Sequence, residues 1–308
     1  MMQKECLNFN GSGGTTLPAV IWHPENVKIV LQIVHGMTEH MGRYEAFAAM
    51  MATRGIAVAG FDLRGHGQNS GDPEVASFGE GGWQKSVTDI HLFHNHLQER
   101  FPGVPLFVLG FSLGSFLLRD YLNTYSTDSL AGAVIMGTGH QPGWLLSAMM
   151  GIVSGQIKKV GFDNTSDLIK QLSFGTYNQK FKPNRTEADW LCSSTDALDV
   201  YLADPLVRKN ISAGLFWELL GSMKRRSNKQ EYAHWDKQLP ILLISGEEDP
   251  VGDRSKGVKA IYRQMQKSGM QHVMLKLMPG ARHDVLHEGP QATALIWEWL
   301  EKQLASEE

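Results

Sequence analysis

The sequence predicts an α/β protein: a mainly parallel central sheet flanked by helices, with one long and mostly helical insertion. Short apolar, β-branched runs alternate with longer stretches of helical period, the pattern of strands covered on both faces by crossover helices. That rhythm breaks between about residues 139 and 236, where no convincing strand pair is found, and then resumes. The 308 residues suggest two folded units, although α/β sheets often run past ~200 residues as one.

Taken in chain order, the strand candidates are 17–22, 28–34, 56–61, 106–110, 131–136, 241–245 and 272–278. Between them fall helical patterns at 43–54, 83–99, 113–125, 255–267 and 291–304, each long enough for a crossover, with Pro290 placed to start the last. On this reading residues 1–138 and 237–308 form one discontinuous core, and 139–236 form a cap inserted into it. There is no internal repeat, and the nearest thing to a charge run, Lys224, Arg225 and Arg226 with Lys229, reads as a solvated loop.

Composition removes several classes of function. Twenty-nine Lys+Arg against 32 Asp+Glu leave a net charge of -3, with no basic excess to neutralise a phosphate backbone, so nucleic acid is not an expected partner. Cys6 and Cys192 lie far apart and read as free thiols in a reducing compartment. The polar start lacks the apolar stretch of a secretory signal, and the most apolar run, 105–118, falls short of the ~20 residues a membrane span requires. A cytoplasmic protein without a transmembrane span is expected, and nothing sets an oligomeric state.

The most informative motif is Gly110-Phe111-Ser112-Leu113-Gly114, which follows an apolar strand candidate and opens a helix. A serine on so sharp a turn is held in a strained backbone conformation, and the residues two before and two after must be small because their backbones nearly touch. The turn presents the hydroxyl at the carboxyl end of the sheet, beside the positive end of the helix. Such a hydroxyl becomes a nucleophile only when a base takes its proton. In this kind of sheet the order is serine, acid, histidine, which favours His283, in the loop after the last strand candidate; His287, four residues on, competes. For the acid, the turn Gly246-Glu247-Glu248-Asp249-Pro250 follows a strand candidate, and Asp249 is preferred over Glu247 and Glu248. The backbone N–H groups of Leu113, after the nucleophile, and Met37, in the turn after 28–34, are the candidate oxyanion donors. His35 precedes the serine and reads as a support for that turn.

With these residues on the page, the sequence resembles the α/β-hydrolase superfamily and is similar, within it, to the monoglyceride lipase and lysophospholipase group. The matching segments are 35–44, 61–71, the serine turn, 245–252 and 281–288, with a weaker match at 198–206. The resemblance implies an α/β-hydrolase fold, a cap over the strand ends, an apolar acyl tunnel and a small polar pocket, to which Glu39, Arg43 and Tyr201 contribute by position. Glu39 and Arg43 could equally pair with each other, four residues apart on a helix start. Two departures stand out: Thr38 occupies the place of a glycine, which predicts a differently shaped oxyanion loop, and the His283-to-His287 spacing is one residue longer than the group's His-x-x-His.

The expected activity is therefore serine ester hydrolysis without metal or cofactor, on monoacylglycerols or lysophospholipids, with transient membrane-surface contact through the cap. Trp144, Leu146, Met149, Phe174, Trp190 and Leu220 are among the insertion residues expected to pack or to line an acyl site. Two alternatives stay open. A serine aminopeptidase would need a cap carboxylate for the substrate amine, and Glu187, Asp189, Asp196, Asp199 and Asp204 are available; a ligand-binding protein of the same fold would need no turnover. His91, His94 and His96 share one predicted helix but lack the partners of a metal shell, and Asp62, Arg64 and His66 read as a structural turn.

Overall fold

The structure, a computed structural model of the chain, describes residues 1–69, 71–227 and 231–305; Ser70 and Lys229 lie outside the described residues. Its strands in chain order are β1 (Gln3–Asn10), β2 (Thr16–His23), β3 (Ile29–Val34), β4 (Ile56–Phe61), β5 (Val75–Ala76), β6 (Leu106–Phe111), β7 (Gly132–Met136), β8 (Asn210–Ile211), β9 (Ile241–Gly246) and β10 (Val273–Met278). Eight of them form one sheet in the order β1-β2-β4-β3-β6-β7-β9-β10. The β1–β2 and β2–β4 pairs are antiparallel, and the rest are parallel.

The helices are α1 (Glu45–Ala52), α2 (Gly82–Arg100), α3 (Leu113–Thr124), α4 (Gly143–Val160), α5 (Asp167–Lys170), α6 (Thr195–Ala203), α7 (Ala213–Arg226), α8 (Lys256–Lys267), α9 (Val285–Glu288) and α10 (Pro290–Ala305). Phe47, Met51, Ile296 and Trp299 bring α1 and α10 onto one face of the sheet. Phe93, Leu97, Leu117, Ile261 and Met265 bring α2, α3 and α8 onto the other. This is the mainly parallel, helix-flanked α/β architecture that the alternation predicts.

Two strand features differ from the sequence reading. No strand is expected before residue 17, yet β1 pairs along its whole length with β2. As an edge strand it turns Leu7 and Phe9 inward and Lys4, Cys6 and Asn8 outward, so only every second residue needs to be apolar and the run looks polar. The 139–236 stretch also contributes a strand: β8 pairs with β5 through Val75↔Asn210 and Ala76↔Ile211, a ladder too short to leave a period in the sequence. Among its described residues the remaining regular structure is helical, and Ser166, Ser194 and Ser212 cap helices by accepting N–H bonds from Ile169, Ala197 and Leu215.

A buried ionic cluster joins the stretch to α3. Arg119, 1% exposed, donates through Nε and Nη2 to Glu231 at 2.9 and 2.8 Å, and Nη2 lies 3.1 Å from the Tyr232 hydroxyl. Arg226, at the end of α7, pairs with Asp120. Removing one partner of such a pair strands a buried charge, whereas replacing both with apolar groups can be nearly neutral. Glu231→Ala is therefore expected to cost about 3–5 kcal/mol in urea unfolding, and Arg119→Met combined with Glu231→Leu to recover most of that loss.

Candidate active site

The chain passes from β6 into α3 through Ser112, whose φ of 50° and ψ of -116° lie in a strained region. Its N–H bonds to Met136 O at 2.9 Å, tying the turn to β7. Glycine is required on both sides: a Cβ on Gly110 would stand 2.5 Å from Gly114 O, and one on Gly114 would stand 1.9 Å from Val34 O.

His283 Nε2 lies 2.8 Å from Ser112 Oγ, and His283 Nδ1 lies 2.9 Å from Asp249 Oδ1. His283 is 1% exposed and Asp249 is fully buried. Because a carboxylate only accepts, the Nδ1 proton faces Asp249 and the Nε2 lone pair is left for the serine hydroxyl. Asp249 Oδ1 also accepts the Val251 N–H at 2.8 Å. The competing residues are occupied elsewhere: Glu248 pairs with Arg254, Glu247 is exposed, and His287 Nδ1 sits 2.8 Å from Asp284. The imidazole lies between two aromatic rings, Phe111 at 5.0 Å and Trp190 at 5.2 Å. Trp190 comes from the 139–236 stretch, and nothing local in the sequence points to its place against the histidine.

Met37 and Leu113 line the cavity onto which Ser112 opens. Leu113 is the first residue of α3, so its N–H has no partner within the helix. His35 supports the Met37 turn, as its position suggests. Its Nδ1 donates to Gly36 O at 2.8 Å and its Nε2 accepts the Leu63 N–H at 2.9 Å, which fixes the neutral tautomer, and burial lowers its pKa to about 4.

Glu39, Arg43 and Tyr201 all line the same cavity, but their polar groups are used largely on one another. Glu39 accepts from Gly36 N at 2.6 Å, from the Tyr44 hydroxyl at 2.8 Å and from Arg43. Arg43 also donates to Asp284 at 2.9 Å and lies 4.8 Å from the Tyr201 ring. Burial opposes charge at both Arg43 and Asp284. It is outweighed by Glu39 and Asp284 at the arginine, raising its pKa, and by His287 and Arg43 at Asp284, lowering its pKa. Asp284 lies between His283 and His287 and is not among the site residues predicted from the sequence.

The cavity has a volume of about 1100 Å3 and runs between the core strand ends and the 139–236 stretch. Phe116, Leu146, Met149, Phe174, Leu220 and Met223 are among its walls, whereas Trp144 and Ile152 face outward at 74% and 48% exposure. Of the five carboxylates an aminopeptidase could use, Glu187 and Asp204 line it, and Asp204 is held by His40 at 2.9 Å and the Leu206 N–H. Asp189 is satisfied within its own turn, Asp199 pairs with Arg185 at 2.7 Å, and Asp196 sits exposed in the first turn of α6. His91 stacks on Tyr125 at 4.0 Å and His94 meets Ser129 at 3.0 Å, separate engagements for two of the three helix histidines.

A family profile described as serine aminopeptidase, S33, matches residues 25–290. The chain is similar to the monoglyceride lipase of Mus musculus, 28% identical over 277 residues that cover 88% of this chain and 81% of the relative. It is likewise similar to the monoacylglycerol lipase of Mycolicibacterium smegmatis, 25% identical, covering 96% and 97%. Among solved structures, a thermostable carboxyl esterase from Bacillus coagulans superposes with a TM-score of 0.84 at 23% identity, covering 99% of each chain. A monoglyceride lipase variant from Saccharomyces cerevisiae superposes at 0.74 and 18%, covering 98% and 95%. At these identities the structural likeness speaks to the α/β-hydrolase fold.

The His35 geometry has a pH consequence. Its folded pKa, about 4, lies below the ordinary 6.5, so the neutral form is the one that folding favours. The stability it contributes is complete above about pH 6.5 and is lost as pH falls through about 4. Wild type should therefore lose up to about 3 kcal/mol more between pH 7 and pH 4 than His35→Asn does, compared by urea unfolding at each pH.

Proposed function

The chain belongs to the serine aminopeptidase S33 family, and from that premise we propose that it hydrolyses carboxylic esters, with long-chain monoacylglycerols or lysophospholipids as substrates and Ser112 as the nucleophile. The observation that carries this reading is the hydrogen-bonded run Ser112–His283–Asp249 at the floor of a large, mainly apolar-walled cavity. In the reaction, Ser112 Oγ attacks the acyl carbonyl while His283 Nε2 takes its proton. Asp249 holds the imidazole and stabilises the imidazolium, and the N–H groups of Met37 and Leu113 receive the oxyanion. The proton then passes to the departing alcohol, and water, activated by the same histidine, releases the acid from the acyl-enzyme.

On this reading residues 139–236 are a cap over the core formed by 1–138 and 237–308, and the cap supplies the acyl-binding wall. The outward face of α4, with Trp144 and Ile152 exposed and Lys158 and Lys159 in its last turn, suits transient contact with a lipid surface. Among the described residues no helix is long and apolar enough to cross a membrane; the cytoplasmic assignment rests on the sparse cysteine usage. The ester reading is preferred over the aminopeptidase one because Asp204 is committed to His40 and Leu206, and Glu187, the other cavity carboxylate of the five, lies on an exposed turn. Glu39 and Arg43, covered by the ring of Tyr201, form the polar end. With its ionic groups already paired, that end suits an uncharged hydroxyl better than a charged head group, which favours monoacylglycerol over lysophospholipid.

Ser112→Ala is expected to remove both fluorophosphonate labelling and ester turnover, by at least about a thousandfold in kcat; undiminished labelling of that variant would exclude Ser112. Met149→Trp, which narrows the acyl wall, should shift the preferred acyl chain to shorter lengths across a panel of monoacylglycerols, lysophospholipids and short esters. Wild-type activity confined to acyl groups of two to four carbons would instead indicate a general esterase.

A further inference from the structure

Thr38 holds a backbone conformation that its side chain disfavours. Its φ is +67°, in the left-handed region, where a β-branched residue is a marked outlier, and it is 4% exposed. Such a conformation persists only when the surroundings over-determine it. Thr38 Oγ1 donates to Met37 O within the turn, which leaves it to accept the Tyr201 hydroxyl at 2.9 Å. Thr38 O accepts the backbone N–H of Arg208 at 2.8 Å. Both outside partners belong to one segment, 201–208.

That segment is itself anchored on the core. The Arg208 guanidinium, 6% exposed, reaches Gly67 O at 2.9 Å, Asn69 O at 3.3 Å and Pro73 O at 3.4 Å. His40 Nε2 meets Asp204 Oδ2 at 2.9 Å, while His40 Nδ1 accepts the Gly42 N–H, so the neutral ring already makes both bonds. The Tyr201 ring packs against the Arg43 guanidinium, its hydroxyl proton is given to Thr38, and burial raises its pKa so that it stays a donor.

We propose that Tyr201 and Arg208 are positioning residues for the oxyanion loop, holding Thr38 in its strained turn so that the adjacent Met37 N–H stays aimed at the substrate oxygen. The inference rests on the ester-hydrolase reading and refines it: Tyr201 acts on the reaction through Thr38 rather than by binding the alcohol. Transition-state stabilisation is thereby coupled to the docking of segment 201–208.

The test is a double-mutant cycle of Tyr201→Phe and Thr38→Gly, assayed on a short acyl ester with kcat and KM separated and thermal unfolding followed for every variant. Glycine takes a positive φ without strain and has no hydroxyl to hold. Tyr201→Phe alone should lower kcat by roughly tenfold with KM within about twofold. In the Thr38→Gly background the same change should cost less than about twofold, whatever that background's own rate. A rise in KM at unchanged kcat, or an equal loss in both backgrounds, overturns the proposal. A wild type that neither turns over esters nor labels with a fluorophosphonate overturns the hydrolase reading itself, and the proposal with it.

Discussion

The site depends on one close approach of backbone to backbone. The first turn of α3 packs so tightly on the end of β3 that a single methyl at Gly114 would collide with Val34 O. That contact puts the N–H of Leu113 and the turn carrying Met37 beside each other, and it forces the chain through the strained conformation that exposes Ser112 Oγ. Register does the rest. Val34 pairs with Gly110, Phe111 with Met136, and Met278 with Gly246, so β3, β6, β7, β9 and β10 end at nearly the same height. The loops bearing Met37, Ser112, Asp249 and His283 therefore leave the sheet together, and residues up to 171 positions apart come within one hydrogen bond of each other.

Buried polar contacts fasten the 139–236 stretch to this frame at two points. Arg119 and Glu231 bind it to α3, the helix after Ser112, and Arg226 with Asp120 adds a second pair there. On the other side, the Asp284 N–H donates to Leu191 O at 2.7 Å, next to Trp190 and its contact with His283. Buried pairs like these add little net stability because each charge has lost its water, yet they tolerate no displacement. Their value is geometric: they fix the stretch on α3, while backbone bonds at Leu191 and Arg208 hold segments 189–193 and 201–208 beside the loops of His283 and Thr38, and α4 turns its outward apolar face to solvent.

Local signals made much of this legible in the sequence. Ser112 sits in a strand-turn-helix context, Asp249 follows an apolar run in an acidic turn, and His283 lies in the loop before the last helix, so local context and chain order together suggest the three that the structure brings together. The pairing of Glu39 with Arg43 was also within reach, since i and i+4 residues face each other on a helix start. Long-range contacts were not legible. Trp190 against His283, Arg208 on Gly67 and Asp284 on Arg43 each join residues more than ninety positions apart. An edge strand such as β1 and a two-residue ladder such as β5 with β8 lack the apolar run or the length that produces a period.

The strained turn at Thr38 and the buried carboxylate of Asp284 are physically connected through Tyr201 and Arg43. Thr38 puts a β-branched residue where a positive φ is needed, and Asp284 adds a carboxylate beside Arg43. Each carries a cost: the first strains the turn after β3, and the second buries a further charge, which His287 and Arg43 compensate. Tyr201 meets both, its hydroxyl bonding Thr38 and its ring covering the guanidinium that Asp284 engages. Local rule-breaking at a functional site is ordinarily offset by consistency elsewhere. Here one aromatic residue, Tyr201, touches both, so the 139–236 stretch that walls the cavity also bears on the turn carrying Met37.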